Sequence, residues 1–161
     1  MMGSGKTTTG KALAKLLNMP FVDLDDRIVA RAGHSINDIF KTEGESCFRK
    51  LESELLKEVA NQTAQVVATG GGIVLDPGNT KILKEARPTI YLKASLETLW
   101  ERVKEKRDRP LLQSPDPKKT LAGLLAVREP LYQAVADMVY VTDRKTPEEV
   151  ANEIFETHFQ S

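Results

Sequence analysis

Gly3-Ser4-Gly5-Lys6-Thr7-Thr8 is the clearest indication of the fold in this sequence. It matches the end of the pattern G-x-x-x-x-G-K-[ST], in which glycines allow successive backbone N–H groups to face a phosphate. Apolar spacing predicts a helix from about Lys6 to Leu17, whose N-terminus would add partial positive charge. Lys6 would then bridge the β- and γ-phosphates of a nucleotide, and the Thr7 hydroxyl would ligate Mg²⁺. The alternative is a glycine-rich turn that precedes a helix by chance.

The strand that normally leads into such a loop is absent from the sequence. The first glycine of the pattern would fall one position before Met1, and so would this strand. In a phosphate-loop fold that strand lies in the middle of the sheet, so its loss would leave the edges of two neighbouring strands unpaired. Two explanations stay open at this point: a late start of the chain, or an unusual way of filling the gap.

Strand-like and helix-like segments alternate outward from the loop. The predicted strands are residues 21–25, 66–68, 89–92 and 139–141. The predicted helices are residues 26–32, 35–40, 48–59, 77–86, 95–103, 118–136 (interrupted near Pro130) and 147 onward, with caps at Ser35, Ser95 and Thr146. This alternation predicts an α/β fold with a parallel sheet covered on both faces, and ligands at the carboxyl ends of its strands. The chemically suggestive residues at those ends are Asp23, Asp25, Gly70–Gly72 and Asp143.

Two carboxylates follow the first predicted strand. Alternation along residues 21–25 places Asp23 and Asp25 on the same side of that strand. One could hold a water of the Mg²⁺ shell while the other accepts a hydroxyl proton. The alternative is a strand-to-helix turn in which aspartates cap the helix.

Three further groups point to an acceptor site. Arg49 and Glu52 are three residues apart on a predicted helix, so the carboxylate could orient the guanidinium towards an anionic ligand, although a solvated helix face is the alternative. The run Gly70-Gly71-Gly72 is typical of a place where a ligand must touch the backbone. Residues 106–117 are interpreted as a mobile loop, from which an arginine could reach a transferring phosphate, or as a charged loop without a role.

Composition limits the class of protein. The 161 residues suit one domain, and 23 basic and 23 acidic side chains balance, so no global field attracts nucleic acid or an anionic membrane. The single cysteine, Cys47, favours a reducing compartment. No apolar run reaches the ~18 residues of a membrane span, and the N-terminus has no secretion-signal pattern. We therefore expect a cytoplasmic protein, and, without an exposed apolar stripe, a monomer.

Six motifs, taken in order, resemble the shikimate kinase family over nearly the whole chain. They are Gly-Ser-Gly-Lys-Thr from Gly3, Asp-x-Asp from Asp23, Phe-Arg-x-x-Glu from Phe48, Gly-Gly-Gly from Gly70, Arg-Pro-Leu-Leu from Arg109 and Arg-x-Pro-Leu-Tyr from Arg128. The resemblance implies a three-layer α/β/α phosphate-loop kinase with a parallel sheet of order 2-3-1-4-5, here without its first strand. It implies one domain over residues 1–161, with a lid at about 106–117 and substrate-binding helices at about 26–61. The implied reaction converts ATP and shikimate into ADP and shikimate 3-phosphate, in chorismate and aromatic amino-acid biosynthesis.

The resemblance also implies a role for each matching residue. Asp25 would orient the acceptor hydroxyls and act as base, with Lys6 and Arg109 as the other catalytic groups. The nucleotide would contact Gly3, Ser4, Gly5, Lys6, Thr7, Thr8, Arg107, Arg109, Thr146 and Pro147. Shikimate would contact Asp25, Arg49, Glu52, Gly70, Gly71, Gly72 and Arg128, with its carboxylate between the two arginines. Mg²⁺ would be held by Thr7 and, through water, by Asp23. Either Arg102 or Arg107 would stack on the adenine, near a loop from Val141 to Pro147.

Two other readings of the sequence stay open. One is a phosphate-loop kinase of another small hydroxy acid such as gluconate, although two arginines and three glycines favour a cyclic carboxylate. The other is an impaired relative that binds ligand without transferring phosphate, which the missing strand suggests.

Overall fold

Helices and short strands alternate along the described part of the chain, residues 1–62, 64–86, 88–105 and 110–160 of a computed structural model. The helices are α1 (Lys6–Leu16), α2 (Leu24–Ala32), α3 (Ile36–Thr42), α4 (Gly44–Ala60), α5 (Pro77–Glu85), α6 (Leu96–Val103), α7 (Pro117–Val135) and α8 (Pro147–His158). The strands are β1 (Phe21–Asp23), β2 (Val66–Ala68), β3 (Ile90–Lys93) and β4 (Met138–Val141). Short 3-10 turns cover Ile73–Leu75 and Pro110–Leu112. The α/β class is therefore confirmed.

The strands form two parallel pairs. β1 pairs with β2 from Phe21↔Val66 to Asp23↔Ala68, and β3 pairs with β4 from Ile90↔Met138 to Lys93↔Val141. In the expected order 2-3-1-4-5 these pairs are strands 2 and 3 and strands 4 and 5, and the described residues contain no strand that joins them. The first pairing sets the carboxyl ends of β1 and β2 side by side, which brings Asp23 close to the segment that enters the glycine run.

Both faces of the β3–β4 pair are covered by apolar side chains. On one face, Leu92 and Tyr140 pack in a buried cluster with residues from α1 and α8: Leu13, Val150, Ala151 and Ile154. On the other face, Tyr91 belongs to a larger buried cluster shared with α4, α6 and α7. Because successive side chains of a strand point to opposite faces, these strands lie between two helical layers. None of the described helices combines the length and the apolar character that a bilayer-spanning segment needs.

Side-chain caps determine where most of these helices begin. Ser35 accepts a hydrogen bond from the Asp38 amide, and Ser95 accepts one from the Thr98 amide. Thr146 forms a reciprocal capping box with Glu149 at the start of α8. These three predicted caps are confirmed, and each satisfies a helix N–H that would otherwise lack a partner.

Two sequence-based expectations about the elements are wrong. The first strand ends at Asp23 rather than at residue 25, because the Asp23 carboxylate accepts a hydrogen bond from the Asp25 amide and starts α2 at Leu24. Asp25 therefore lies in the first turn of a helix, and strand alternation does not place it beside Asp23. Helix α7 is also continuous through Pro130. A proline removes one backbone donor, but buried residues before and after it keep this helix packed against the core.

Candidate active site

The loop between Met1 and α1 has a backbone that only glycine adopts readily. Gly3 and Gly5 have φ values of 76° and 88°, in the left-handed region. A Cβ on Gly3 would also lie 2.9 Å from Val103 Cγ1 on α6. The buried Ser4 hydroxyl donates to the Met1 carbonyl at 2.8 Å and closes the loop on itself. The result is a rigid concave backbone at the N-terminus of α1, which is suited to an anion.

The first residues of α1 carry the polar groups of this loop. Lys6 Nζ donates to the Met1 carbonyl at 2.7 Å, so the ammonium group lies against the loop. Thr7 Oγ1 donates to Asp23 Oδ2 at 2.7 Å, and the other oxygen of the Asp23 carboxylate caps α2. The structure thus brings together Thr7 and Asp23, which were predicted separately as metal-binding residues.

A cavity of about 500 Å³ extends from this loop to the start of α8. It is lined by the described residues that were predicted to bind nucleotide: Gly3, Ser4, Gly5, Lys6, Thr7, Thr8, Thr146 and Pro147. A ligand with its anionic end at the loop could extend along this cavity towards α8. Arg107 and Arg109, which were also predicted to bind nucleotide, lie outside the described residues.

Arg102 lies on the wall of the same cavity. Its guanidinium donates to the Gly3 carbonyl at 3.2 Å, to Thr142 Oγ1 at 3.1 Å and to the Thr142 carbonyl at 2.9 Å. These bonds connect the phosphate loop to the end of β4 and fix the plane of the guanidinium. Of the two arginines proposed to stack on a base, Arg102 is the one placed at this cavity by the described structure.

Asp143, which follows β4, has a structural role rather than a place in either cavity. Its carboxylate accepts hydrogen bonds from the Ser95 amide at 3.1 Å and the Ser95 hydroxyl at 2.6 Å, and from the Thr98 hydroxyl. Burial acts to raise the pKa of Asp143, but the bonds from Ser95 and Thr98 outweigh it and hold that pKa below its ordinary value. Asp143 therefore joins β4 to the start of α6, and it is not among the residues that line either cavity.

A second cavity of about 400 Å³ lies between the loop and helices α2, α3 and α4. It is lined by every residue that was predicted to bind the acceptor: Asp25, Arg49, Glu52, Gly70, Gly71, Gly72 and Arg128. Arg128 reaches it from α7 with only 3% of its surface exposed. Two guanidinium groups therefore face a partly enclosed space whose other walls include Phe40 and Phe48. Such a space suits a small, cyclic, anionic ligand.

The Arg49 guanidinium is held in place from several sides. Its Nη1 bonds Glu52 Oε2 at 2.7 Å, and its Nη2 bonds Glu45 Oε1 at 3.1 Å. The Phe48 ring lies 5.0 Å from the guanidinium carbon. The Arg49–Glu52 pair predicted from their spacing is confirmed, and it orients the arginine before any ligand arrives.

Glu52 is a fully buried carboxyl group. Its Oε1 has no hydrogen-bond partner among the described residues. Burial raises the pKa of Glu52, an effect that the neighbouring Arg49 opposes and the Asp25 carboxylate reinforces. The native state therefore binds this proton more tightly than the unfolded chain does.

This shift has a measurable consequence for stability. A raised native pKa means that the contribution of Glu52 is fully present below its ordinary pKa of 4.5 and is lost as the pH rises through the native value. We expect Glu52→Gln, which stays neutral, to gain in unfolding temperature relative to the wild type as the pH rises above about 4.5. Thermal unfolding at several pH values measures this difference. Glu45→Gln, which removes the exposed partner of Arg49, is the matched control; a pH-independent difference for Glu52→Gln would contradict the expectation.

The glycine run is required by close approach rather than by unusual backbone angles. Gly72 has φ −91°, which any residue adopts. A Cβ on Gly70 would overlap Glu52 Oε1, and a Cβ on Gly72 would overlap the Arg49 guanidinium. The absence of side chains therefore allows the Arg49–Glu52 pair to pack directly on this backbone.

The two cavities meet at a small set of shared residues. Both are lined by Met2, Thr7, Asp23, Asp25, Gly70 and Gly71. An anionic ligand on the phosphate loop and a second ligand between α2 and α4 would therefore approach each other beside Asp25. The arrangement can carry out transfer of a group between two bound molecules.

Sequence reasoning missed several residues of the second cavity. Phe40, Asn37 and Leu111 line it, and Tyr132 hydrogen-bonds its glycine run. Tyr132 could have been found, because it ends the quoted Arg-x-Pro-Leu-Tyr motif. Asn37 carries no signal in the sequence, although its buried Oδ1 has no hydrogen-bond partner among the described residues.

Comparisons with known proteins agree on one family. The family profile described as Shikimate kinase matches residues 2–158. Shikimate kinase of Hahella chejuensis is 46% identical over 97% of this chain and 81% of its own length, and that of Aromatoleum aromaticum is 46% identical over 91% and 84%.

Solved structures show the same likeness. Shikimate kinase from Acinetobacter baumannii in complex with shikimate superposes with a TM-score of 0.94 at 36% identity, covering 99% of this chain and 91% of that one. The Aquifex aeolicus enzyme gives a TM-score of 0.85 at 36% identity, covering 98% and 91%. With a match over almost its entire length in sequence and in structure, the chain belongs to the shikimate kinase family.

Proposed function

We propose that this chain transfers the γ-phosphoryl group of ATP to the 3-hydroxyl of shikimate, a step of chorismate and aromatic amino-acid biosynthesis. The observation that carries the proposal is the meeting of two cavities at Thr7, Asp23 and Asp25, one lined by the phosphate loop and the other by two arginines. Support also comes from the Acinetobacter baumannii relative, whose structure contains shikimate.

The donor side is assigned to the first cavity. The phosphate-loop amides and Lys6 bind the β- and γ-phosphates, and Lys6 neutralises charge that develops during transfer. The adenine lies at the other end, beside Arg102, Thr146 and Pro147, which line that region. Arg107 and Arg109 are proposed to contact the nucleotide from the lid at 106–117.

The residues present fit a magnesium ion. Thr7 Oγ1 and Asp23 Oδ2 are hard oxygen donors 2.7 Å apart beside the loop. The described residues hold no cluster of three or more His, Cys, Asp or Glu side chains suited to a metal. Thr7 and, through water, Asp23 would therefore hold Mg²⁺ together with nucleotide phosphates. When bound, the ion would supply charge neutralisation at those phosphates.

The acceptor side is assigned to the second cavity. Arg49 and Arg128 bind the shikimate carboxylate as charge-assisted pairs, and Glu52 keeps Arg49 in position. Backbone amides of Gly70–Gly72 bind the acceptor from a third side. These contacts place the ring so that one hydroxyl faces the phosphate loop.

Asp25 is the group proposed to act on that hydroxyl. It lines both cavities at the point where they meet. It orients the hydroxyl and takes its proton, while the hydroxyl oxygen bonds to the γ-phosphorus and the bond to the β-phosphate oxygen breaks. Most of the rate enhancement would come from positioning and charge neutralisation, as is usual in phosphoryl transfer.

An acceptor comparison tests the proposal directly. Coupled ADP release would be measured with Mg²⁺ and ATP in the presence of shikimate, gluconate or no acceptor. We expect release that depends on shikimate. Turnover with gluconate but not shikimate would favour a different hydroxy-acid kinase, and silence with every acceptor would favour an impaired relative.

We also propose a single kinase domain over residues 1–161, with substrate-binding helices at about 26–61, acting as a cytoplasmic monomer on a small molecule. The balance of 23 basic and 23 acidic side chains supports independence from nucleic acid and membrane surfaces. Size-exclusion chromatography with light scattering would measure the oligomeric state.

A further inference from the structure

Tyr132 connects helix α7 to the glycine run. It lies one helical turn after Arg128 and is only 6% exposed. Its hydroxyl donates to the Gly71 carbonyl at 2.5 Å. Its ring packs against Tyr91, with ring centroids 5.0 Å apart and planes inclined by 32°. The hydroxyl is thus delivered to the loop by a well-packed side chain on a rigid element.

The carbonyl groups and the N–H groups of the glycine run differ in their hydrogen bonding. The Gly70 carbonyl accepts from the Ile73 amide at 3.3 Å, and the Gly72 carbonyl accepts from the Leu75 amide at 3.0 Å. The Gly71 carbonyl is the one whose donor is a side chain, Tyr132. Within the described part of the chain, the amides of these three glycines donate no hydrogen bond. Among the described residues, all three carbonyls therefore accept hydrogen bonds inside the protein, whereas none of the three N–H groups donates one.

Peptide geometry couples the Tyr132 bond to one of these N–H groups. The Gly71 carbonyl and the Gly72 amide belong to the same planar trans peptide, so they point in opposite directions. Holding the carbonyl towards α7 turns the Gly72 N–H away from α7. Gly71 and Gly72 both line the acceptor cavity. We propose that Tyr132 is a positioning residue that orients the Gly71–Gly72 peptide so that its N–H binds the acceptor.

The surroundings of Tyr132 favour its role as a hydrogen-bond donor to the Gly71 carbonyl. Burial raises the pKa of Tyr132 to about 12, against the opposing effect of the Arg128 charge. The phenol therefore keeps its proton at neutral pH and remains a donor. Because Arg128 and Tyr132 both belong to α7, the same helix positions a carboxylate-binding guanidinium and the amide-bearing loop. Their spacing is thereby set by one rigid element.

The test, which rests on the proposed function, uses Tyr132→Phe. This substitution keeps the ring against Tyr91 and removes only the hydroxyl, together with its bond to the Gly71 carbonyl and its interactions with Met1 Sδ and the Arg128 side chain. We expect the KM for shikimate to rise about tenfold, with the KM for ATP within about twofold of the wild type. In the ligand-free protein we expect the Gly72 amide resonance to move in a ¹H–¹⁵N spectrum. If the hydroxyl had only a structural role, Tyr132→Phe would lower the unfolding temperature and would change the KM values for shikimate and for ATP by similar factors.

Tyr91→Phe is the matched control, since it removes the hydroxyl of the stacked ring, which makes no described hydrogen bond to the glycine run. We expect wild-type KM values and an unmoved Gly72 resonance for this variant. The inference is overturned if folded Tyr132→Phe keeps the wild-type shikimate KM, or if Tyr91→Phe reproduces its effect. A wild-type protein that releases no ADP with shikimate refutes the proposed function instead; the Gly72 resonance then still shows whether Tyr132 orients the peptide.

Discussion

Lys6→Ala is expected to lower kcat by at least about 10²–10³-fold while leaving the fold intact. Lys6 is the first residue of α1, next to the phosphate loop. Its ammonium group donates a hydrogen bond to the Met1 carbonyl at 2.7 Å. There it would neutralise charge on the phosphates during transfer, an interaction that alanine cannot replace. Shikimate-dependent ADP release measures kcat, and circular dichroism measures whether the helices and their unfolding temperature are retained.

Lys15→Ala supplies the control for this experiment. Lys15 is an exposed lysine on the same helix and does not line either cavity. Its substitution removes an equal charge from α1 and should leave kcat unchanged. A folded Lys6→Ala protein with wild-type kcat would show that the loop does not act on the transferred phosphate.

Arg49→Ala and Arg128→Ala are expected to raise the KM for shikimate by roughly 10- to 100-fold each, with much smaller effects on the KM for ATP. Both guanidinium groups line the acceptor cavity, and each would lose a charge-assisted bond to the substrate carboxylate. Steady-state kinetics with each substrate varied in turn separates the two effects. Arg31→Ala is the control, because Arg31 is an exposed arginine paired with Glu58 outside this cavity.

Two refinements separate ligand binding from folding. Arg49→Ala leaves the buried Glu52 carboxylate without its partner, so the double variant Arg49→Ala/Glu52→Gln should recover stability but not shikimate affinity. With the methyl ester of shikimate, which lacks the negative charge, most of the penalty of each arginine substitution should disappear. Equal penalties for the acid and the ester would contradict carboxylate binding by these arginines.

The order of elements could be predicted from the sequence because it depends on local chemistry. The caps at Ser35, Ser95 and Thr146 and the glycines of the phosphate loop act over a few residues, and all of them occur in the structure as expected. The two errors arose where a local rule met a competing interaction. The Asp23 side chain ended its own strand by capping the next helix, and tertiary packing kept α7 continuous through Pro130.

The acceptor cavity was only partly predictable. Arg49 and Glu52 could be paired from a spacing of three on one helix. The burial of Glu52 could not be predicted, since it results from the glycine run folding against α4. The hydrogen bond of Tyr132 could not be predicted either, because its hydroxyl donates to a carbonyl 61 positions away in the chain.

The α/β class, the phosphate loop and the set of side chains available for binding could all be predicted from the sequence, because short-range hydrogen bonding and backbone restrictions specify them. Three features emerged only from the packing of the elements: the two cavities meet at Asp25, Arg102 joins the phosphate loop to β4 and Tyr132 donates to the Gly71 carbonyl. Each of these contacts joins residues that are far apart in the chain. Their distances depend on how strands and helices pack, which no local pattern encodes.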